Sequence, residues 1–159
     1  MRALIEREGL PWYRYATDGK EGEVDEKTLI GWRDSELWNL WIRNSDSGIE
    51  IHRNGKPLDL TAPQLKRALF TLGSNRGSAK RVTTLYQIID GEKRPERVNV
   101  LMSRLTAALK RVSPDLAERI TNPDKKQYGF DLAGLRYCVS EQIRASNRRA
   151  KENSYESNT

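Results

Sequence analysis

With 159 residues, 36% apolar and 31% charged, the chain is long enough for one core with appendages and has the balance of a polar globular protein rather than a disordered one. No apolar run approaches the ~20 residues of a membrane-spanning helix, and Met1-Arg2-Ala3-Leu4-Ile5-Glu6-Arg7 lacks the apolar stretch of a secretory signal, so a cytoplasmic protein without membrane contact is expected. Cys138 and His52 are the lone cysteine and histidine, which excludes an internal disulfide and a cysteine zinc site; no cofactor is expected.

A net charge of +6 and a pI near 9.5 favour an anionic partner. The excess is local: residues 60–139 carry 15 basic and 7 acidic side chains, whereas residues 1–45 carry 7 and 9. A merely solvated surface would mix the signs more evenly, so the basic segment reads as a functional surface.

Along the chain, Trp12-Tyr13-Arg14-Tyr15 looks strand-like and Gly19-Lys20-Glu21-Gly22-Glu23 looks like a turn or loop. Glu36–Arg43 suits a helix or a strand; strand is preferred because tryptophan favours strands and Asn44–Gly48 follows as a turn. Trp38 and Trp41 read as core. Ile49 and Ile51 alternate with polar residues, and Asn54-Gly55 before Lys56–Leu60 is a hairpin signal, since both central residues of a primed turn take positive φ. His52 is expected exposed on this hairpin.

Thr61-Ala62-Pro63-Gln64 reads as a helix start, with Thr61 as cap and Pro63 in the first turn. Leu65, Leu69 and Leu72 line one face, Lys66 and Arg67 face outward, and Gly73–Ser78 ends the helix. Val82, Leu85, Ile88 and Ile89 indicate a second helix closing at Asp90-Gly91. A long amphipathic helix follows from Glu96 to Val112, with Val98, Met102, Leu105 and Leu109 as its buried stripe. Its other surface carries Arg97, Val100, Leu101, Arg104 and Ala108, with no acid. Arg119–Asn122 and Tyr128–Leu132 read as strands flanking a basic loop, and a further helix is expected from Leu135 to Lys151 before a polar tail.

These elements, in order sheet, helix, helix, long helix, hairpin, resemble the winged-helix output domain of OmpR/PhoB-type response regulators over about 85 residues. Gly55-Lys56-Pro57-Leu58-Asp59-Leu60-Thr61 resembles the family's hairpin leading into its first helix. Val98–Leu109 is similar to its recognition helix, and Tyr128-Gly129-Phe130-Asp131-Leu132 to its wing-closing strand. The resemblance implies an α+β winged helix-turn-helix with an N-terminal antiparallel sheet, three helices and a C-terminal β-hairpin wing at 46–135. Residues 1–45 would be an extension and 136–159 a C-terminal helix and tail. In the family, the loop equivalent to Gly91–Pro95 often touches RNA polymerase. The forty-five residues before the domain are too few for a receiver, so no aspartyl-phosphorylation switch is expected.

On this reading the partner is double-stranded DNA, read by a homodimer of a bacterial or phage transcriptional regulator associated with the nucleoid, because one small winged helix reads few base pairs. Helix 96–112 would enter the major groove, with Arg97, Asn99, Val100 and Arg104 at base edges: arginine to guanine, asparagine to adenine, valine to a thymine methyl. Lys80, Arg81, Thr83, Thr84 and Arg94 would hold phosphates, and Lys125, Lys126 and Gln127 would reach out from the wing. Two other classes stay open. A protein-interaction module could use Trp32, Trp38 and Trp41 as a partner surface. An enzyme could draw on acid pairs such as Asp34/Glu36, but one histidine, one cysteine and no phosphate-cradling glycine loop leave it little support.

Overall fold

The computed structural model describes residues 11–75, 80–81, 85, 96–123 and 126–143. It begins with a hairpin, β1 (Trp12–Thr17) and β2 (Lys20–Asp25), in which Trp12 faces Asp25 and Thr17 faces Lys20. The turn falls at Asp18-Gly19, where Gly19 takes φ +116°, so Lys20–Glu23 is strand rather than the expected loop. Helix α1 (Glu26–Asp34) follows at once because the Asp25 carboxylate accepts the Thr28 amide at 2.9 Å, satisfying one of the helix's free donors.

Strands β3 (Leu40–Ser45), β4 (Gly48–Arg53) and β5 (Lys56–Pro57) form a meander. Asn54 and Gly55 take φ +53° and +80°, as the Asn-Gly signal requires. The expected helix after Leu135 is instead strand β9 (Tyr137–Ile143), which sits at the centre of a six-stranded sheet of order β2-β1-β9-β3-β4-β5. It runs parallel to β3 and antiparallel to β1, the other pairings being antiparallel. Strands from before Asp46 and after Leu135 thus share one sheet with β4 and β5.

Both faces of this sheet are covered, which explains its continuous apolar runs. Alternation along β3 sends Leu40 and Ile42 to one face and Trp41 to the other. Along β9, Tyr137 and Val139 join the first face and Cys138 the second. The second face packs against α1 through Leu29, with Tyr13, Val24 and Trp41. His52 lies there too, only 8% exposed and edge-on to Trp41 at 5.4 Å, which corrects the expectation of an exposed hairpin histidine.

The first face carries the larger core, built with α2 (Pro63–Ser74), α3 (Glu96–Val112) and α4 (Pro114–Glu118). Leu69 and Leu72 of α2, Leu85, and Leu105 and Leu109 of α3 are all 0–1% exposed, each contributing ~1.5–3 kcal/mol of burial. Thr61 does not cap α2: Ala62 holds that position without a side-chain bond, and Pro63 opens the helix. Apart from the buried helical Leu85, the expected helix Val82–Ile89 lies outside the described residues, as does the chain beyond Ile143.

After α4, β7 (Ile120–Thr121) and β8 (Gln127–Phe130) pair antiparallel with Ile120 opposite Phe130. Strand β6 (Lys80–Arg81) adds to the other edge of β8, with Lys80 opposite Tyr128 and Arg81 opposite Gln127. The structure is therefore a mixed α+β fold with a large sheet backing helices and a small three-stranded sheet.

Candidate nucleic-acid interface

Helix α3 is amphipathic in the way its spacing demands: Val98, Met102, Leu105 and Leu109 are 0–1% exposed. That stripe fixes what faces outward. Arg97, Asn99, Val100 and Arg104 are all exposed, and Val100 and Leu37 are the exposed large apolar side chains among the described residues. Ala108, expected on the outer surface, is buried instead, and Leu101 is half-buried. Arg97, Val100 and Arg104 share one exposed face, and Asn99 lies on the other flank of the helix, toward β8.

Opposite them stands α2, which contains no acidic residue. A groove of about 360 Å³ runs between the two helices, lined by Gln64 and Arg67 from α2 and by Arg97, Val100, Leu101 and Arg104 from α3. No described residue forms an ion pair with Arg67, Arg97 or Arg104. Three guanidinium groups with apolar side chains between them, and no ion pair from the described residues, make a basic surface suited to an anionic ligand. Gln64 and Arg67 were not singled out from sequence. Their i, i+3 spacing puts them on one helix face, but nothing local says that α3 lies beside it.

The β7–β8 hairpin reaches α3 where the Tyr128 hydroxyl of β8 donates to Asn99 Oδ1 at 3.0 Å. Burial raises the Tyr128 phenol above its ordinary range, so it stays a donor. At the wing's base, Arg119 donates to the carbonyls of Asp131 and Ala133 at 2.9 and 3.0 Å, and the Asp131 amide bonds back to the Arg119 carbonyl. Of the wing candidates, Lys126 is exposed and Gln127 half-buried, while Lys125 lies outside the described residues.

The phosphate candidates divide differently. Lys80 and Arg81, for which no element was expected, form β6 beside β8. Their extended conformation follows from pairing with β8, which local propensity does not report. Thr83, Thr84 and Arg94 lie outside the described residues.

Arg43 reaches Glu26 at 3.0 Å and Glu50 at 3.5 Å, and Arg33 reaches Glu50 and Asp34, both at 2.9 Å, fastening α1 to the sheet. Asp34 is held below the usual carboxylate range by its bond from Arg33, so it stays ionised and makes a poor general acid. Burial pushes the Cys138 thiol up to about 12, which keeps it from acting as a nucleophile. Trp41 is core, and Trp32 and Trp38 are half-buried, in edge contact at 6.0 Å. Among the described residues no three His, Cys, Asp or Glu side chains are grouped to hold a metal, and no described helix is long and apolar enough to cross a membrane. No protein-family model matches the chain, and no curated protein shows significant similarity to it.

Proposed function

We propose that this chain is a sequence-specific double-stranded-DNA-binding protein of winged-helix, OmpR/PhoB-like kind, acting as a transcriptional regulator in a bacterium or phage. The observation that carries the reading is the exposed face of α3 together with α2, where Arg67, Arg97 and Arg104 share a groove without described ion pairs and Val100 stands 54% exposed between them. A helix of this diameter fits the major groove, where arginine suits guanine and an apolar group suits the thymine methyl. The β7–β8 hairpin beside α3 would lie over the neighbouring minor groove or its phosphates, with Lys126 at its tip. Lys80 and Arg81, brought beside that hairpin, would add phosphate contacts there, and Thr83, Thr84 and Arg94, outside the described residues, stay phosphate candidates from sequence.

Reading more than a few base pairs calls for two copies on DNA, and a regulator of this kind would also meet RNA polymerase. Strand β9 is paired along both edges, so its backbone is closed to a dimer partner. A second reading, a protein-interaction module, draws on Leu37, 46% exposed beside Trp38. Selection from random duplex DNA at two salt concentrations tests the first reading. An enriched motif whose binding weakens with salt is expected; no enrichment, with capture indifferent to salt, favours the second.

A further inference from the structure

Arg67 lines two grooves. One is the groove it shares with Arg97, Val100 and Arg104 of α3. The other, of about 690 Å³, lies between α2 and the β3–β4 turn, with Lys66 and Arg67 on the helix side and Asn44, Ser45 and Ser47 on the turn side. Meeting at one side chain, the two grooves make a continuous track that leaves α3 on the flank away from Asn99 and the β7–β8 hairpin. The turn wall is braced, because the Ser45 hydroxyl donates to the Gly48 carbonyl at 3.2 Å and the Asp46 amide to Gln142 Oε1 of β9 at 2.9 Å.

The charges of the second groove favour an anion on its α2 side. Lys66 and Arg67 form no ion pair with a described residue, and α2 supplies no acid. Of the two acids in the lining, Glu50 is held by Arg33 at 2.9 Å and by Arg43 at 3.5 Å. Asp46 is the other and belongs to the turn, so a phosphate would sit against Lys66 and Arg67 instead. Lys66 is half-buried, so its stem is already restricted and loses less freedom when the ammonium meets a partner.

Resting on the DNA-binding reading, we propose that this second groove extends the interface: Lys66 and Arg67 hold phosphates of the duplex beyond the base pairs that α3 reads, opposite the β7–β8 hairpin. The occupant is the sugar-phosphate backbone rather than a base edge. A lysine ammonium is a compact point charge suited to a phosphate oxygen, and lysine and arginine offer donors only. Such contacts set register and affinity but carry no sequence information. The duplex is thereby gripped on both flanks of α3, by the hairpin on one and by α2 on the other.

The test compares the full chain with Lys66→Ala/Arg67→Ala, Lys66→Gln and Arg104→Ala, on the selected duplex and on an unrelated duplex of equal length. Lys66→Ala/Arg67→Ala should weaken binding to both duplexes by the same factor and select an unchanged motif. It should flatten the slope of log affinity against log salt by about 1.8, two phosphates at ~0.9 each. Lys66→Gln, which keeps most of the stem and its packing, should flatten the slope by about 1. Arg104→Ala should instead cost affinity for the selected duplex more than for the unrelated one. A slope that Lys66→Gln and the double variant leave unchanged, or a motif altered at a base pair in either, overturns the proposal. If the unaltered chain enriches no motif and its binding ignores salt, the DNA-binding reading has failed and takes this inference with it. A salt-dependent motif that both Lys66 variants bind like the unaltered chain defeats the inference alone.

Discussion

Arg104 and Leu105 are neighbours in sequence, but one is exposed and the other buried on α3, so they separate binding from folding. Arg104 is exposed and has no described ion pair, and its replacement by alanine should change unfolding free energy by less than about 0.5 kcal/mol. Leu105 is 0% exposed, packed in the main core with Met102, Leu109 and Leu69. Truncating it to alanine removes buried methyl groups and leaves a cavity, costing about 2–5 kcal/mol. On DNA the ranking reverses: Arg104→Ala should lose about 1–3 kcal/mol of specific binding, roughly 5- to 150-fold. Urea unfolding and fluorescence anisotropy on the selected duplex measure the two quantities. The reasoning is refuted if Arg104→Ala binds like the unaltered protein, or if it destabilises the fold as much as Leu105→Ala does.

Two further consequences concern the scaffold. Gly55 takes φ +80°, and a Cβ there would lie 2.8 Å from Glu36 Cγ, whereas Gly134, at φ +73°, has nothing within 4 Å; Gly134→Ala should cost only the ~1–2 kcal/mol of a left-handed residue and Gly55→Ala more, and equal losses in urea unfolding would show that the Glu36 contact is immaterial. Asp115 accepts from Ser113 at 2.7 Å and pairs with Arg53, and these contacts, the Ser113 bond foremost, hold its carboxyl below the ordinary 3.8. A depressed carboxylate contributes stability that is fully present above pH ~4 and is lost as pH falls through its folded value. Because Asp115 is more than half exposed, the effect should stay within about 1 kcal/mol, and Asp115→Asn should flatten acid unfolding below pH 4 while leaving its slope between pH 5 and 7 unchanged.

Legibility in the sequence followed the range of the interactions. Helix α3 could be read to its ends because one period of apolar residues, Val98 to Leu109, decides which face is buried. The β4–β5 turn could be read because Asn54 and Gly55 carry their own backbone preference. Strand β9 could not: Tyr137 and Val139 find their partners in β3, about a hundred residues earlier, and Ser140-Glu141-Gln142 looks polar and helical in isolation. Ser140 is in fact buried, donating to the Ile42 carbonyl at 3.0 Å. His52 was misplaced for a related reason, since alternation around Ile51 suggests one wet face, while α1 covers that face of the sheet. At the candidate site, exposure on α3 was readable from its stripe, but Arg67 and Tyr128 enter only through the docking of α2 and β8 against it.

The most direct test is the salt dependence of binding to the selected duplex, measured for the unaltered chain and for a variant of the proposed phosphate contacts, Lys80→Ala/Arg81→Ala/Arg94→Ala. Each phosphate neutralised contributes about −0.9 to the slope of log affinity against log salt. The account predicts a slope of about −3 or steeper for the unaltered chain, and a flatter one, with weaker binding, for the variant. A slope near zero, or one the three substitutions leave unchanged, would contradict it.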